Sequence, residues 1–149
     1  MALSRIEKLS HYAVVVIAVS ALVVSVWQAG ITIKHNKLTV KPYLDFHIVQ
    51  IDSTITVKFS NEGFGPAILE EVSFFYEDEQ YQSVWQVLEK MDEIDNWAGS
   101  FNYNPGTVVA PGAEKLLVSL KGGQHIRGAK AIFRYKSIYE ESFDMELTF

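Results

Sequence analysis

Residues 13–27 read AVVVIAVSALVVSVW, and only Ser20 and Ser25 in that run are not apolar. Around it no Asp, Glu, Lys or Arg occurs in the 25 residues between Lys8 and Lys34. A hydrocarbon core of about 30 Å, at about 1.5 Å of rise per helical residue, needs roughly 20 residues. Residues 12–33 supply 22, so the run predicts a single transmembrane helix there. Two other readings compete with a retained anchor. A signal peptide with the n-region MALSRIEK could be cut after Ala21, with Val19 at the small-residue position, but that would leave LVVSVW exposed on the new N-terminus, and a cut after Ala29 would put bulky Trp27 where a small residue is wanted. A buried core helix is rarely apolar on every side.

The flanks favour the anchor. Tyr12 and Trp27 stand near its ends, where amphipathic rings prefer the headgroup zone. Residues 34–42 form an expected basic juxtamembrane linker in which Lys34, His35, Lys37 and Lys41 are candidate headgroup contacts. In the flank at 1–11, Arg5 and Lys8 are opposed by Glu7. Lys and Arg beside a span stay cytoplasmic, so three cations against two direct the C-terminal part to the cytoplasm. Within the span, Ala21, Ser25 and Ala29 recur at every fourth position, with Ala18 on the same face. Small residues let helix backbones approach in lipid, which makes this face a candidate for self-association or for docking to a larger membrane protein. The plainer reading is that Ala and Ser are common in spans.

Charge divides sharply. Residues 1–41 carry a net of +4 and residues 42–149 a net of −9. An acidic head is repelled by anionic lipid while its basic stem is attracted. It also lacks the basic patch that nucleic acid demands, so no nucleic-acid partner is expected. With no cysteine there is no disulfide, thiolate nucleophile or Cys-ligated metal.

From Pro42 the period changes. Leu44, Phe46 and Ile48 alternate with polar neighbours, as do Ile55, Val57 and Phe59; further strands are expected at 68–76, 115–120 (Leu116, Val118 and Leu120 inward), 129–139 and 143–149, with a short one at 107–110. Asp52-Ser53, Asn61-Glu62-Gly63, Pro111-Gly112 and Gly122-Gly123 mark turns. The fold expected for 43–149 is mainly β: an immunoglobulin-like antiparallel β-sandwich of six or seven strands, with a small barrel as its rival. One segment departs from this rhythm. Over 80–97, Tyr81, Val84, Trp85, Leu88, Met91, Ile94 and Trp97 recur at steps of three and four among acids, which predicts an inserted amphipathic helix. Its plain role is a lid on the sandwich. Its sharper role is partner binding through Tyr81, Trp85, Leu88, Met91 and Trp97, since Trp and Met are common interface anchors. Its net charge of −3 argues against lying on a membrane.

The stretch IKHNKLTVKP after the span resembles the HN-K/R-L-S/T-V-K/R-P junction of small, mostly uncharacterised bacterial and phage membrane proteins with one N-terminal helix and a β-sandwich head. FSNEGFGPAILEEVSFFYED is similar to that group's N-x-G-x-GPA segment, and YKSIYEESF to its penultimate hairpin. The resemblance implies this fold and a bacterial inner-membrane address, and it brings no catalytic residues. Asn61, Gly63 and Gly65 are expected to serve as positions tolerant of positive φ, with Pro66 kinking the chain into the next strand. A backbone anion site there is the functional alternative.

A search for chemistry finds little. His11, His35, His47 and His125 are scattered, and no zincin, hydrolase-elbow or P-loop motif occurs. Neighbours on a strand point to opposite faces, so Glu70/Glu71 and Glu140/Glu141 are expected to split rather than to share a proton or a cation. No enzyme activity, cofactor or metal is expected. Three roles follow: a membrane-anchored module that recruits a protein partner, a ligand-sensing effector that oligomerises through its span, or a structural subunit of an envelope or phage assembly.

Overall fold

The computed structural model describes residues 5–122 and 128–148, with Ile6 and Glu7 described by backbone alone. His125, Gly123 of the expected Gly122-Gly123 turn, and Phe149 lie outside the described residues. The chain divides into two units, Met1–Leu38 and Thr39–Phe149.

The first unit holds all but the last residue of helix α1, Arg5–Thr39, of 35 residues. At about 1.5 Å per residue it is about 52 Å long. In its most apolar window no residue is buried. It runs past the expected limit at Ile33 and takes Lys34, His35 and Lys37 with it, which shortens the expected linker at 34–42 to residues 40–43. No Gly or Pro interrupts 34–39, and Lys37 in the last turn suits the negative end of the helix dipole. Pro42 then disfavours helical geometry at Lys41.

In the second unit, strands β1 (Leu44–Ile51), β2 (Thr54–Asn61), β3 (Ala67–Tyr76) and β4 (Glu79–Tyr81) precede helix α2 (Val84–Lys90) and a 3-10 turn (Ile94–Asn96). Strands β5 (Trp97–Ser100), β6 (Val108–Val109), β7 (Glu114–Lys121), β8 (Ala129–Lys136) and β9 (Ser142–Thr148) follow. One sheet has the order β1-β2-β7-β5, the other β4-β3-β8-β9 with β6 beside β3, and every pairing is antiparallel. The head is thus mainly β.

The two inner faces share one core. Phe59 of the first sheet lies 4.9 Å, centroid to centroid, from Phe133 of the second, and Phe46 lies 5.2 Å from Phe133 edge-on. Leu44, Val57, Leu117, Leu69 and Leu88 are buried around them.

The insert corrects the sequence reading. A helix over 80–97 was expected, but only Val84–Lys90 is α-helical, and the two ends of the segment supply edge strands β4 and β5. Ser83 caps α2 by accepting a hydrogen bond from the Gln86 amide at 3.3 Å. Asp92 closes it with a left-handed backbone, φ 58°. Steps of three and four between apolar residues arise here from a short helix flanked by extended edges.

Bulges correct two further expectations. The β2–β7 register slips between Val57 and Lys58, so Leu117 turns fully inward beside Val118 while Leu116 stays half-buried. The β3–β8 register slips between Leu69 and Glu71. That places Glu70 and Glu71 on one face, paired with Lys136 and Arg134 at 3.5 and 3.2 Å, instead of splitting them.

Candidate functional site

At one end of the head the chain closes a clasp. Asn61, fully buried, accepts hydrogen bonds through Oδ1 from the amides of Tyr43 (3.1 Å) and Gly63 (3.0 Å). Its Nδ2 donates to the carbonyls of Gly65 (2.8 Å) and Val109 (2.9 Å). The Glu62 amide donates to the Tyr43 carbonyl at 2.7 Å and that of Phe64 to Lys41 at 3.2 Å. Neither Gly63 nor Gly65 has a positive φ, which corrects the expected role. Both are glycine because a Cβ would overlap the backbone of the 40–43 strap: Gly63 meets the Tyr43 amide and Gly65 the Val40 carbonyl. Lys41 Nζ lies 5.1 Å from the centre of the Phe143 ring, which stacks on Tyr135 at 5.5 Å. The Tyr135 hydroxyl accepts from the Leu44 amide at 3.4 Å. Residues 40–43, the 61–65 turn and the Tyr135–Phe143 hairpin thus meet at one place.

Sequence reasoning missed a cluster on the outer face of the β1–β2 hairpin. His47 Nε2 lies 2.7 Å from Ser60 Oγ, which donates to Glu62 at 2.6 Å; Nε2 is 3.6 Å from the same carboxylate. Ser–His–acid suggests a hydrolase, but the order of contacts differs. The carboxylate holds the serine proton and faces Nε2, whereas a triad needs it on Nδ1 to orient the ring. Ser60 is also buried. Beside it Lys58 pairs with Glu114 at 2.9 Å, and this hydrogen bond and charge hold the Glu114 carboxyl below its usual range. The register that pairs Asp45 with Ser60 and His47 with Lys58 assembles this group, and spacing along the chain contains no sign of it. The outer face of the other sheet is laced with ion pairs: Arg134 with Glu71 and Asp144, and Lys130 with Glu146.

At the opposite end, α2 crosses between the sheets and buries Val84, Val87 and Leu88. Of the expected partner-binding residues, Leu88 is fully buried, and Tyr81 and Met91 are half-buried against the core. Trp85 and Trp97 remain 40% and 39% exposed and meet edge to face at 5.2 Å. Trp97 Nε1 donates to Ser100 Oγ at 3.2 Å. Tyr81, Gln86, Glu89 and Lys90 line an open hollow of about 450 Å³. The Tyr81 hydroxyl donates to Glu79 at 2.7 Å, and this bond, with burial and the charges of Glu79 and Glu77, pushes its phenol up to about 12. Among the described residues no group of His, Asp and Glu is arranged to hold a metal.

In α1, Ala18, Ala21, Ser25 and Ala29 are exposed. The Ser25 hydroxyl donates to the Ala21 carbonyl at 2.8 Å, so its polar atom is satisfied within the helix. Lys34 and His35 are exposed on the same helix, and Lys37 is half-buried.

No protein-family model and no curated protein matches this chain. Among solved structures it is similar to the archaellum periplasmic stator protein FlaG from Sulfolobus acidocaldarius, with 10% identity and a TM-score of 0.30, over 72% of this chain and 100% of that one. A likeness that slight assigns neither fold nor role.

Proposed function

We propose that this chain is a non-enzymatic, single-pass membrane protein whose head is an immunoglobulin-like sandwich that recruits a protein partner at the bilayer. The observation that carries the reading is helix α1, whose apolar side chains are left uncovered by the protein. Exposing that much apolar surface to water is unfavourable by about 25 cal/mol per Å², and lipid removes the penalty. The strand orders β1-β2-β7-β5 and β4-β3-β8-β9 correspond to A-B-E-D and C′-C-F-G of the immunoglobulin pattern, which supports the sandwich assignment. Likeness to the bacterial and phage group supports an inner-membrane address, and the cation count supports a cytoplasmic head. The Ala18, Ala21, Ser25 and Ala29 face is the proposed contact between spans, and Lys34, His35 and Lys37 the proposed headgroup contacts.

Carbonate extraction of membranes containing the full-length chain tests the anchor. The protein is expected in the pellet, and in photo-crosslinked adducts when the reactive group sits on the head. Recovery as a soluble monomer without detergent would reject the reading.

A further inference from the structure

The head's negative charge is not spread evenly. Residues 77–97 hold seven carboxylates and one cation, Lys90, a net of −6 out of the head's −9. They lie on the β3–β4 turn, on α2 and on the segment leading into β5, and α2 packs against β3, β4 and β5. Glu77 and Asp78, the two central residues of that turn, are both left-handed, at φ 51° and 64°, and present exposed carboxylates. These acids do not converge on a point, because no metal-holding group exists among the described residues. Trp85 of α2 meets Trp97 at the start of β5 edge to face, both half-exposed, with Asp92, Glu93 and Asp95 between them along the chain, and Tyr81 and Glu89 share a hollow against α2.

From this we infer that the lid end of the head docks an extended, Arg- and Lys-bearing segment of a partner protein. The inference rests on the recruiting role proposed above and names the partner's chemistry. Dispersed carboxylates match a chain of separated cations better than a single ion, and guanidinium groups stack on Trp faces in addition to pairing with acids. A neutral apolar partner would leave the acids facing low dielectric without counter-charges, at a desolvation cost. An acidic partner is repelled.

The test uses full-length protein with Trp27→Phe in zwitterionic phosphatidylcholine nanodiscs, so that fluorescence reports Trp85 and Trp97 alone and the bilayer does not attract the probe. Titration with a ten-residue alternating Arg-Ser peptide is expected to give a saturable change that vanishes at high salt, and an alternating Glu-Ser peptide none. Glu89→Gln with Asp92→Asn is expected to weaken binding about tenfold, and Trp85→Ala, read through Trp97, about fivefold. The remote pair Asp45→Asn with Glu114→Gln, both opposite Ser60 at the clasp end, is expected to leave it within about twofold. No saturable change, or equal weakening by the remote pair, overturns the inference. So does a concentration-dependent change without peptide, which would identify the basic stem of a second copy as the occupant. Failure here with the chain still retained in membranes, and crosslinked to a partner from another face, sinks this inference and leaves the recruiting role standing. Loss of membrane retention sinks that role itself.

Discussion

Gly65 is the most tightly enclosed of the described glycines. Its Cα faces the Val40 carbonyl, and any side chain would have to displace the 40–43 backbone, which Asn61 and Phe64 hold by hydrogen bonds at Tyr43 and Lys41. Gly65→Ala is therefore expected to destabilise the head by at least about 3 kcal/mol, in the range of severe overpacking. Gly106→Ala makes the informative contrast, because Gly106 has φ 86° and open space around it. It is expected to cost about 1 kcal/mol from left-handed strain alone. Urea denaturation of the detergent-solubilised chain, followed by tryptophan fluorescence, measures both, and equal losses would disprove the clasp. The glycines themselves were legible in the sequence, but not their reason. Positive φ and close approach both select glycine, and only the packed strap at 40–43 distinguishes them.

Among the elements, α2 separates the packing role of the insert from its surface role. Leu88 is fully buried, and Leu88→Ala is expected to cost about 3 kcal/mol through lost contacts and a cavity. Trp85→Ala is expected to cost under about 1 kcal/mol, since its ring is 40% exposed. Thermal melts followed by near-ultraviolet circular dichroism compare the two. Similar losses would mean that Trp85 is a core residue and unsuited to a docking surface. The strands were legible because one buried face forces alternation with a period of two. The insert was not, since a seven-residue helix has too few turns for periodicity to exclude its extended neighbours. The bulges at Leu117 and Glu70 were equally hidden, because each depends on what the partner strand does at that register.

For the molecule as a whole, alkaline pH probes the core between the sheets. Tyr103 packs edge-on against Phe59 at 5.0 Å and donates its hydroxyl to the Leu116 carbonyl at 2.6 Å; burial pushes the phenol up to about 12. The folded-state value lies above the unfolded one of about 10. Its contribution is therefore complete below pH 10 and lost as pH rises through 12. Stability is expected to fall by on the order of 1 kcal/mol between pH 9 and 11.5, after allowance for partial exposure. Tyr103→Phe should start lower, by the missing hydrogen bond, and decline less steeply. Melting temperatures across that range check it, and parallel slopes for both proteins would refute the assignment.

What the amino-acid order by itself determined is local. An uncharged apolar run of this length favours a continuous helix, which pairs its backbone groups within itself. Alternation must give strands with one buried face. The pairing order of the sheets, the strap gripped by Asn61, the His47–Ser60–Glu62 cluster and the Trp85–Trp97 contact were decided only by tertiary structure. Each depends on strand register and loop closure, which the local pattern of a segment does not encode.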